Sequence, residues 1–445
     1  MKTKAMYSQK IKHYNHVFKE TVEAYRDAVT FFISVCMEEW DIISFQTSPL
    51  RRMNALEAMS HPTAKRPDVP HCFDDADKRF YKFPSYLRRA ACMEAIGKVS
   101  SYKSSLANWK KSRNEKKPNA PVAGYIYPCL YHENMYREGE GYTARIKVYV
   151  HNTWDWITVQ LRKSDIDYIR RHCSDMKQSS PTLQKRGKEW YLDFLYEKEV
   201  KLTDKPVWEQ TVLAVDLGIN SACTCSALLS DGTVVGRRFL HLPAEEDCLK
   251  KSIGRIKKAQ QHGNRKTPRL WAVTKGINDD ISVKTAAFIT ECAERFHADV
   301  IVFERLERNG RKRGSGKQRI HMWRSEYVQS MVENKAHRLG LRISRVNAWG
   351  TSRLAFDGSG RVRRGRESEK TGRSYSMCEF ATGRVYNCDL NASYNIGARY
   401  FIREILKSLT ERERLAAEAK APQLARRSTC TLSTLIGLYA GLAAA

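Results

Sequence analysis

The sequence predicts a multidomain α/β protein, and three observations carry that reading. Apolar residues recur at helical spacing over 13–40 and 85–111. The period changes to two between residues 145 and 196. Beyond residue 211, short apolar runs that end in acids alternate with amphipathic stretches. At 445 residues the chain has room for two or three domains, each burying a substantial core.

The first helix is expected over 13–40, with Val22, Tyr25, Val29 and Phe32 on one face. Residues 45–80 are polar and carry Pro62, Pro67 and Pro70, which reads as a loop or irregular insert. A second helix spans 85–111, from Ser85 as N-cap through Leu87, Ala91, Ile96 and Val99 to Trp109. Its cations, Arg88 and Arg89 first among them, are read as nucleic-acid contacts; the bland alternative is a solvated face. A Pro-containing linker follows at 112–121. Then Ile146, Val148 and Val150, next Ile157, Val159 and Leu161, and later Trp190, Leu192, Phe194 and Tyr196 alternate with their neighbours. These strands predict a small antiparallel barrel or sheet.

The second half is organised around Thr211-Val-Leu-Ala-Val-Asp-Leu-Gly-Ile-Asn220. Its apolar run closed by turn residues is a buried strand, and Asp216 sits where that strand leaves the core. A strand, the Asp231-Gly232 turn and another strand come next, a meander of the kind that opens ribonuclease-H-like sheets. A later strand, 299–304, places Glu304 near its end, and Asp389 precedes a helical pattern. Each acid alone is ordinary: an Asp before Gly forms turns, Glu304 can pair with Arg305 or Arg308, and Asp389 can cap a helix. Together, three carboxylates beside buried elements are what a two-metal phosphodiester site requires.

Basic segments surround these acids. Lys250, Lys251, Arg255, Lys257, Lys258, Arg265 and Lys266 fall on or after a helix whose thin apolar side is Ile253, Ile256 and Leu270. Residues 282–297 are amphipathic and lead into the Glu304 strand. Arg311, Lys312, Arg313 and Arg319 lie in a Gly-rich stretch just after Glu304. Such cations position a nucleic acid without reading its sequence, although an exposed helix or a plain linker has similar composition. The whole chain has 77 Lys and Arg against 49 Asp and Glu, a net +28, which favours a polyanionic partner. Between residues 305 and 373 the excess is +13. No apolar run is long enough to span a membrane, and the start shows no secretion signal. The twelve cysteines form no compact framework, so reduced cytosolic thiols are expected.

The stretches Val215-Asp-Leu-Gly-Ile-Asn220, Ile301-Val-Phe-Glu-Arg-Leu306 and Cys388-Asp-Leu-Asn-Ala-Ser-Tyr-Asn-Ile-Gly-Ala-Arg-Tyr400 resemble the three split RuvC motifs of transposon-encoded TnpB proteins and compact type V CRISPR effectors. The resemblance covers about residues 205–405. It implies that Asp216, Glu304 and Asp389 are the catalytic acids and hold two Mg²⁺ ions, with Mn²⁺ able to replace them. It further implies a guide RNA, derived from a transposon or a CRISPR array, and cutting of double- and single-stranded target DNA beside a short flanking motif.

On this layout residues 1–15 form a first wedge strand, 16–118 a helical recognition lobe and 119–205 the wedge barrel. Residues 206–349 form the nuclease domain with its basic helix and lid, 350–386 a target-strand loading insertion, and 387–445 the third motif, a helix and a tail. One departure matters. The family carries a zinc ribbon after a Thr-Ser dipeptide; here Thr351-Ser352 are followed by no Cys pair, and only Cys378 and Cys388 remain before the third motif. No zinc is therefore expected. The rival functions are an RNA-guided repressor that does not cut, a guide-free RuvC-like nuclease, and a transposition factor with no nuclease of its own.

Overall fold

The computed structural model describes the chain except residues 14–15, 74–79, 113–115, 219–221, 265, 306–323, 373 and 444–445. It divides into two compact units, Lys4–Lys198 and Glu199–Ala445, the latter together with Met1–Thr3.

The first unit has helices α1 (Val17–Glu38), α2 (Trp40–Phe45), α3 (Pro49–Ser60), α4 (Ser85–Lys111) and α5 (Lys163–His172). The predicted face of α1 is buried, with Val22, Tyr25, Val29 and Phe32 packed toward Leu87, Ala91, Ile96 and Val99 of α4. Each fully buried side chain of this kind contributes about 1.5–3 kcal/mol. The core is extended by stacked rings, Phe32 on Phe73 at 4.9 Å and Phe73 on Phe80 at 4.3 Å. α4 has the expected bounds, but Pro84 is its N-cap position, with no side-chain cap.

Within the stretch expected as a loop, α3 is a correction. Ser48 accepts the Arg51 amide and Pro49 occupies the first turn, a complete helix start that the later prolines overshadowed.

The expected strands form β1 (Lys2–Lys10), β2 (Tyr136–Glu138), β3 (Thr143–Val150), β4 (Thr153–Gln160), β5 (Lys177–Gln178), β6 (Thr182–Arg186) and β7 (Glu189–Glu199). The β3–β4 hairpin turns on His151 and Asn152, both at positive φ, a geometry that follows the strand twist. The barrel expectation is corrected: the strands make two sheets, β1-β7-β5 with β6 on β7, and β2-β3-β4. Only an isolated bridge, Ile11–Leu161, links the ends of β1 and β4, so no barrel closes among the described residues.

The second unit is built on β8 (Val212–Asp216), β9 (Cys223–Leu228), β10 (Val234–Leu240), β11 (Val300–Arg305) and β12 (Arg342–Asn347). Their order is β10-β9-β8-β11-β12. The first three form the expected antiparallel meander, while β11 runs parallel to both β8 and β12. A central strand buried on both faces needs an unbroken apolar run, and residues 212–215 supply it. Leu213 and Val215 face the core shared with α7 (Pro268–Arg295) and α8 (Ser325–Arg338), reached from α6 (Pro243–Gln261). Val212 and Ala214 face α9 (Cys388–Ser408).

That helix approaches the sheet closely because of Gly397. A Cβ there would stand 2.9 Å from Leu228 Cδ1 and 3.2 Å from Ala214 Cβ. Between β12 and α9 lies a small sheet of β13 (Arg363–Arg364), β14 (Met377–Glu379) and β15 (Val385–Asn387). Beyond α9 come α10 (Glu411–Lys420) and α11 (Leu432–Ala443), so the tail contains a helix. α11 packs on α9 through Leu432, Leu435 and Leu438.

Candidate active site and nucleic-acid interface

The parallel register pairs Val215 with Phe303, which brings Asp216 and Glu304 to the same end of adjacent strands. Asp389 lies in the first turn of α9, where the Asn387 side chain accepts the Asp389 and Leu390 amides at 2.9 and 3.0 Å. Since α9 packs on β8 and β9, three acids far apart in sequence meet at one sheet end. All three residues are half-buried. Desolvation first, then the like charges of Glu304 and Asp389, push the Asp216 carboxyl well above the usual range. Arg364 of β13 opposes that rise. Burial also raises Glu304, against a hydrogen bond from Thr351 and the field of Arg399.

Those last two groups belong to a clamp that the sequence reading missed. Asn391, Asn395 and Arg399 follow one another at four-residue spacing on α9, and all are buried. Asn391 accepts the Phe356 amide at 2.8 Å and donates to the Leu354 carbonyl at 2.9 Å. Asn395 donates to the Thr351 carbonyl at 3.0 Å. Arg399 donates to the carbonyls of Asn347 and Trp349 at 2.9 and 2.8 Å. The stripe fixes the backbone around Thr351, whose hydroxyl donates to Glu304. Its signal was a polar residue every fourth position in an otherwise apolar helix.

The donor set suits a hard divalent cation, because all three side chains are carboxylates. Among the described residues, however, no three His, Cys, Asp or Glu side chains are grouped closely enough to hold one ion. The acids are near enough to repel one another without closing around a single point.

Cys378 of β14 and Cys388 at the start of α9 are buried with Ala355, Val362 and Phe380, and the Cys378 thiol donates to the Tyr386 carbonyl at 3.4 Å. They occupy core positions beside each other, the commoner fate of a free cysteine.

The candidate nucleic-acid contacts separate. Lys250, Lys251, Arg255, Lys257 and Lys258 are exposed on α6, and Lys266 is exposed after it. α6 is held to α7 partly by the Ser252–Thr274 hydroxyl pair at 2.6 Å, leaving those cations outward. Arg265, Arg311, Lys312, Arg313 and Arg319, with the proposed lid, lie outside the described residues. Arg88 is a correction: it is 8% exposed and donates to Glu57 of α3 at 3.0 Å. Arg89 donates to the other Glu57 oxygen at 3.1 Å, although its side chain is half exposed. Glu57 is held below its ordinary range by these two arginines in spite of its burial. Helical position alone had put Arg88 outside because α3 was not foreseen.

Known proteins resemble the chain in both sequence and fold. The Aq_aa04 family matches residues 5–150. A TnpB-like protein of Aquifex aeolicus (strain VF5) is 28% identical over 241 residues, which are 48% of this chain and 76% of that protein. The Cas12f1 structure solved with single-guide RNA and target DNA shares 15% identity at a TM-score of 0.51, covering 86% of this chain and 81% of its own. Alicyclobacillus acidoterrestris C2c1, solved with single-guide RNA, has 11% identity and a TM-score of 0.44. It covers 87% of this chain and 66% of its own length. The chain therefore resembles TnpB-like proteins in sequence and the compact type V effector Cas12f1 in fold.

Proposed function

We propose that this protein is an RNA-guided endonuclease that cuts target DNA beside a short flanking motif. The observation that carries the reading is the convergence of Asp216, Glu304 and Asp389 at one end of the β8–β11 pair, on a chain of net charge +28. A guide RNA and a target DNA are its partners, by analogy with the relatives. Base pairing with the guide selects sequence, while the protein recognises heteroduplex shape and the flank.

The three carboxylates would hold Mg²⁺, or Mn²⁺ in its place. The ions would supply an activated water and stabilise the leaving oxygen. This chain's residues do the rest. The like charges of Glu304 and Asp389 raise Asp216, a repulsion that cations would relieve, and the Thr351 hydroxyl holds Glu304 within the field of Arg399. The exposed α6 cations draw in the nucleic-acid backbone. Zinc has no assigned place, so metal analysis of purified protein should find less than one equivalent.

Asp216→Ala, Glu304→Ala and Asp389→Ala should each lower cleavage at least about a hundredfold to a thousandfold, the scale on which one transition-state contact acts. Binding of guide and target, read by co-purified RNA and a gel shift, should persist. Normal cutting by any one variant would remove that acid from the site. No cutting by the parent with its own RNA would favour an RNA-guided binder.

A further inference from the structure

A pocket of about 530 Å³ opens beside the carboxyl ends of β11 and β12. Five arginines line it, Arg305, Arg345, Arg399, Arg403 and Arg427, together with Val346, Asn347 and Ala348. Among the described residues, no acid lines it. Two of the five arginines are already engaged. Arg345 pairs with Glu333 at 2.7 Å, and Arg403 pairs with Glu404 at 2.6 Å while donating to Ser344 at 2.6 Å.

Three charges remain in hand. Arg305 and Arg427 are exposed and have no ion-pair partner among the described residues. Arg399 is only 4% exposed, and its Nη2 is buried without a hydrogen-bond partner. A buried guanidinium left one donor short is unfavourable unless something supplies an acceptor. Arginine forks match phosphate oxygens in pairs, and five guanidiniums with no acid among the described lining residues favour an anion.

We infer that this pocket takes a backbone phosphate of the nucleic-acid strand that also reaches the three carboxylates. The assignment rests on the nuclease reading for which strand is bound, and on the arginines for the binding itself. Arg305 is the residue after Glu304 at the carboxyl end of β11, so the pocket lies at the sheet end where the acids meet. The volume exceeds a lone phosphate and accommodates the sugar on either side. Arg305 and Arg427 are binding residues in this scheme; Arg399, whose field also reaches Glu304, positions the wall.

The test is binding of a labelled single-stranded DNA by the full-length protein without divalent metal, followed by fluorescence anisotropy across a salt series. Arg305→Gln with Arg427→Gln should weaken binding about tenfold, the effect of one charge-assisted contact. It should also lower the log–log salt slope by roughly 0.7 for each phosphate no longer neutralised. Both side chains are exposed and have no ion-pair partner among the described residues, so the fold should survive, and Arg427→Lys should keep most of the slope. In the parent, a methylphosphonate at one position of the strand should reproduce the loss, and it should add nothing in the double variant. Equal affinity and slope for parent and double variant would overturn the proposal. So would a double variant that loses inorganic phosphate but not DNA, which would make the pocket a free-anion site. A failed nuclease reading looks different: the parent never cuts, yet the anisotropy difference remains. A failed pocket leaves anisotropy unchanged while Asp389→Ala still abolishes cutting.

Discussion

The two units differ in the company their buried charges keep. In Lys4–Lys198, buried Arg88 faces Glu57, and buried Asp193 pairs with Arg186. In the second unit, Asp216 faces two more carboxylates, and Arg399 keeps a donor unused. A paired buried charge ties elements together; charges left opposed or unsatisfied mark where a ligand is meant to complete the balance. The second unit also ties elements together with paired buried acids, Asp299 with Lys205 and Glu379 with Arg363, so what sets it apart is the like charge gathered around Asp216.

The largest effect should come from breaking the architectural pair. Arg88→Ala leaves Glu57 with only exposed Arg89, and should destabilise the first unit by about 3 kcal/mol in denaturant unfolding. Because the folded Glu57 is held below its unfolded value, the stability it provides is present above the unfolded range and is lost as pH falls through the folded value. The difference between parent and variant should therefore shrink in acid. A loss of nucleic-acid affinity with unchanged stability would return Arg88 to the interface.

The α6 cations sharpen the comparison from the other side, since they are exposed and have no ion-pair partner among the described residues. Neutralising Lys250, Lys251, Lys257 and Lys258 together should weaken nucleic-acid binding regardless of sequence, each phosphate left without its lysine removing roughly 0.7–0.9 from the salt slope. An unchanged slope would make that face mere solvation and confine functional charge to the pocket and the acids.

The smallest effect should be a gain. Metal-free Asp216→Asn should be more stable than the parent by about 1 kcal/mol at neutral pH while losing cleavage, a trade of stability for function. The folded Asp216 carboxyl is raised, so its ionisation destabilises the fold as pH climbs from the unfolded value toward the folded one. The gain should accordingly vanish in acid and reach a plateau at higher pH. Equal melting profiles would show that the carboxylates do not repel in solution.

Much of the second unit was legible because its strands are doubly buried. Residues 212–215 and 300–303 are apolar without interruption, and each run ends at its acid. The order of the strands and the meeting of Asp389 with Asp216 follow from parallel pairing and helix packing, which no local pattern encodes. The resemblance to split RuvC motifs supplied that expectation instead. Where the sequence reading failed, a non-local partner decided the outcome. Arg88 looked outward until Glu57 arrived on α3, and barrel closure depended on strand edges meeting across the unit. Thr351 was noticed for the cysteines that do not follow it, whereas its hydroxyl serves Glu304.

The packing of α11 sets a timetable. Ile436 of α11 lies against the turn at Gly232, where a Cβ would stand 2.6 Å from its Cγ1, and α11 also covers α9. The hairpin that begins the acidic site is thus sealed by residues made long after it. Synthesis proceeds at about 5–20 residues per second, so β8 waits roughly ten seconds or more for α9, and longer for α11. Distant strand pairing of this kind is also slow in itself. The first unit, complete by Lys198, has that interval to fold alone. A nascent chain in this period has its helical lobe but not its three assembled carboxylates, which can meet only once α9 has been made.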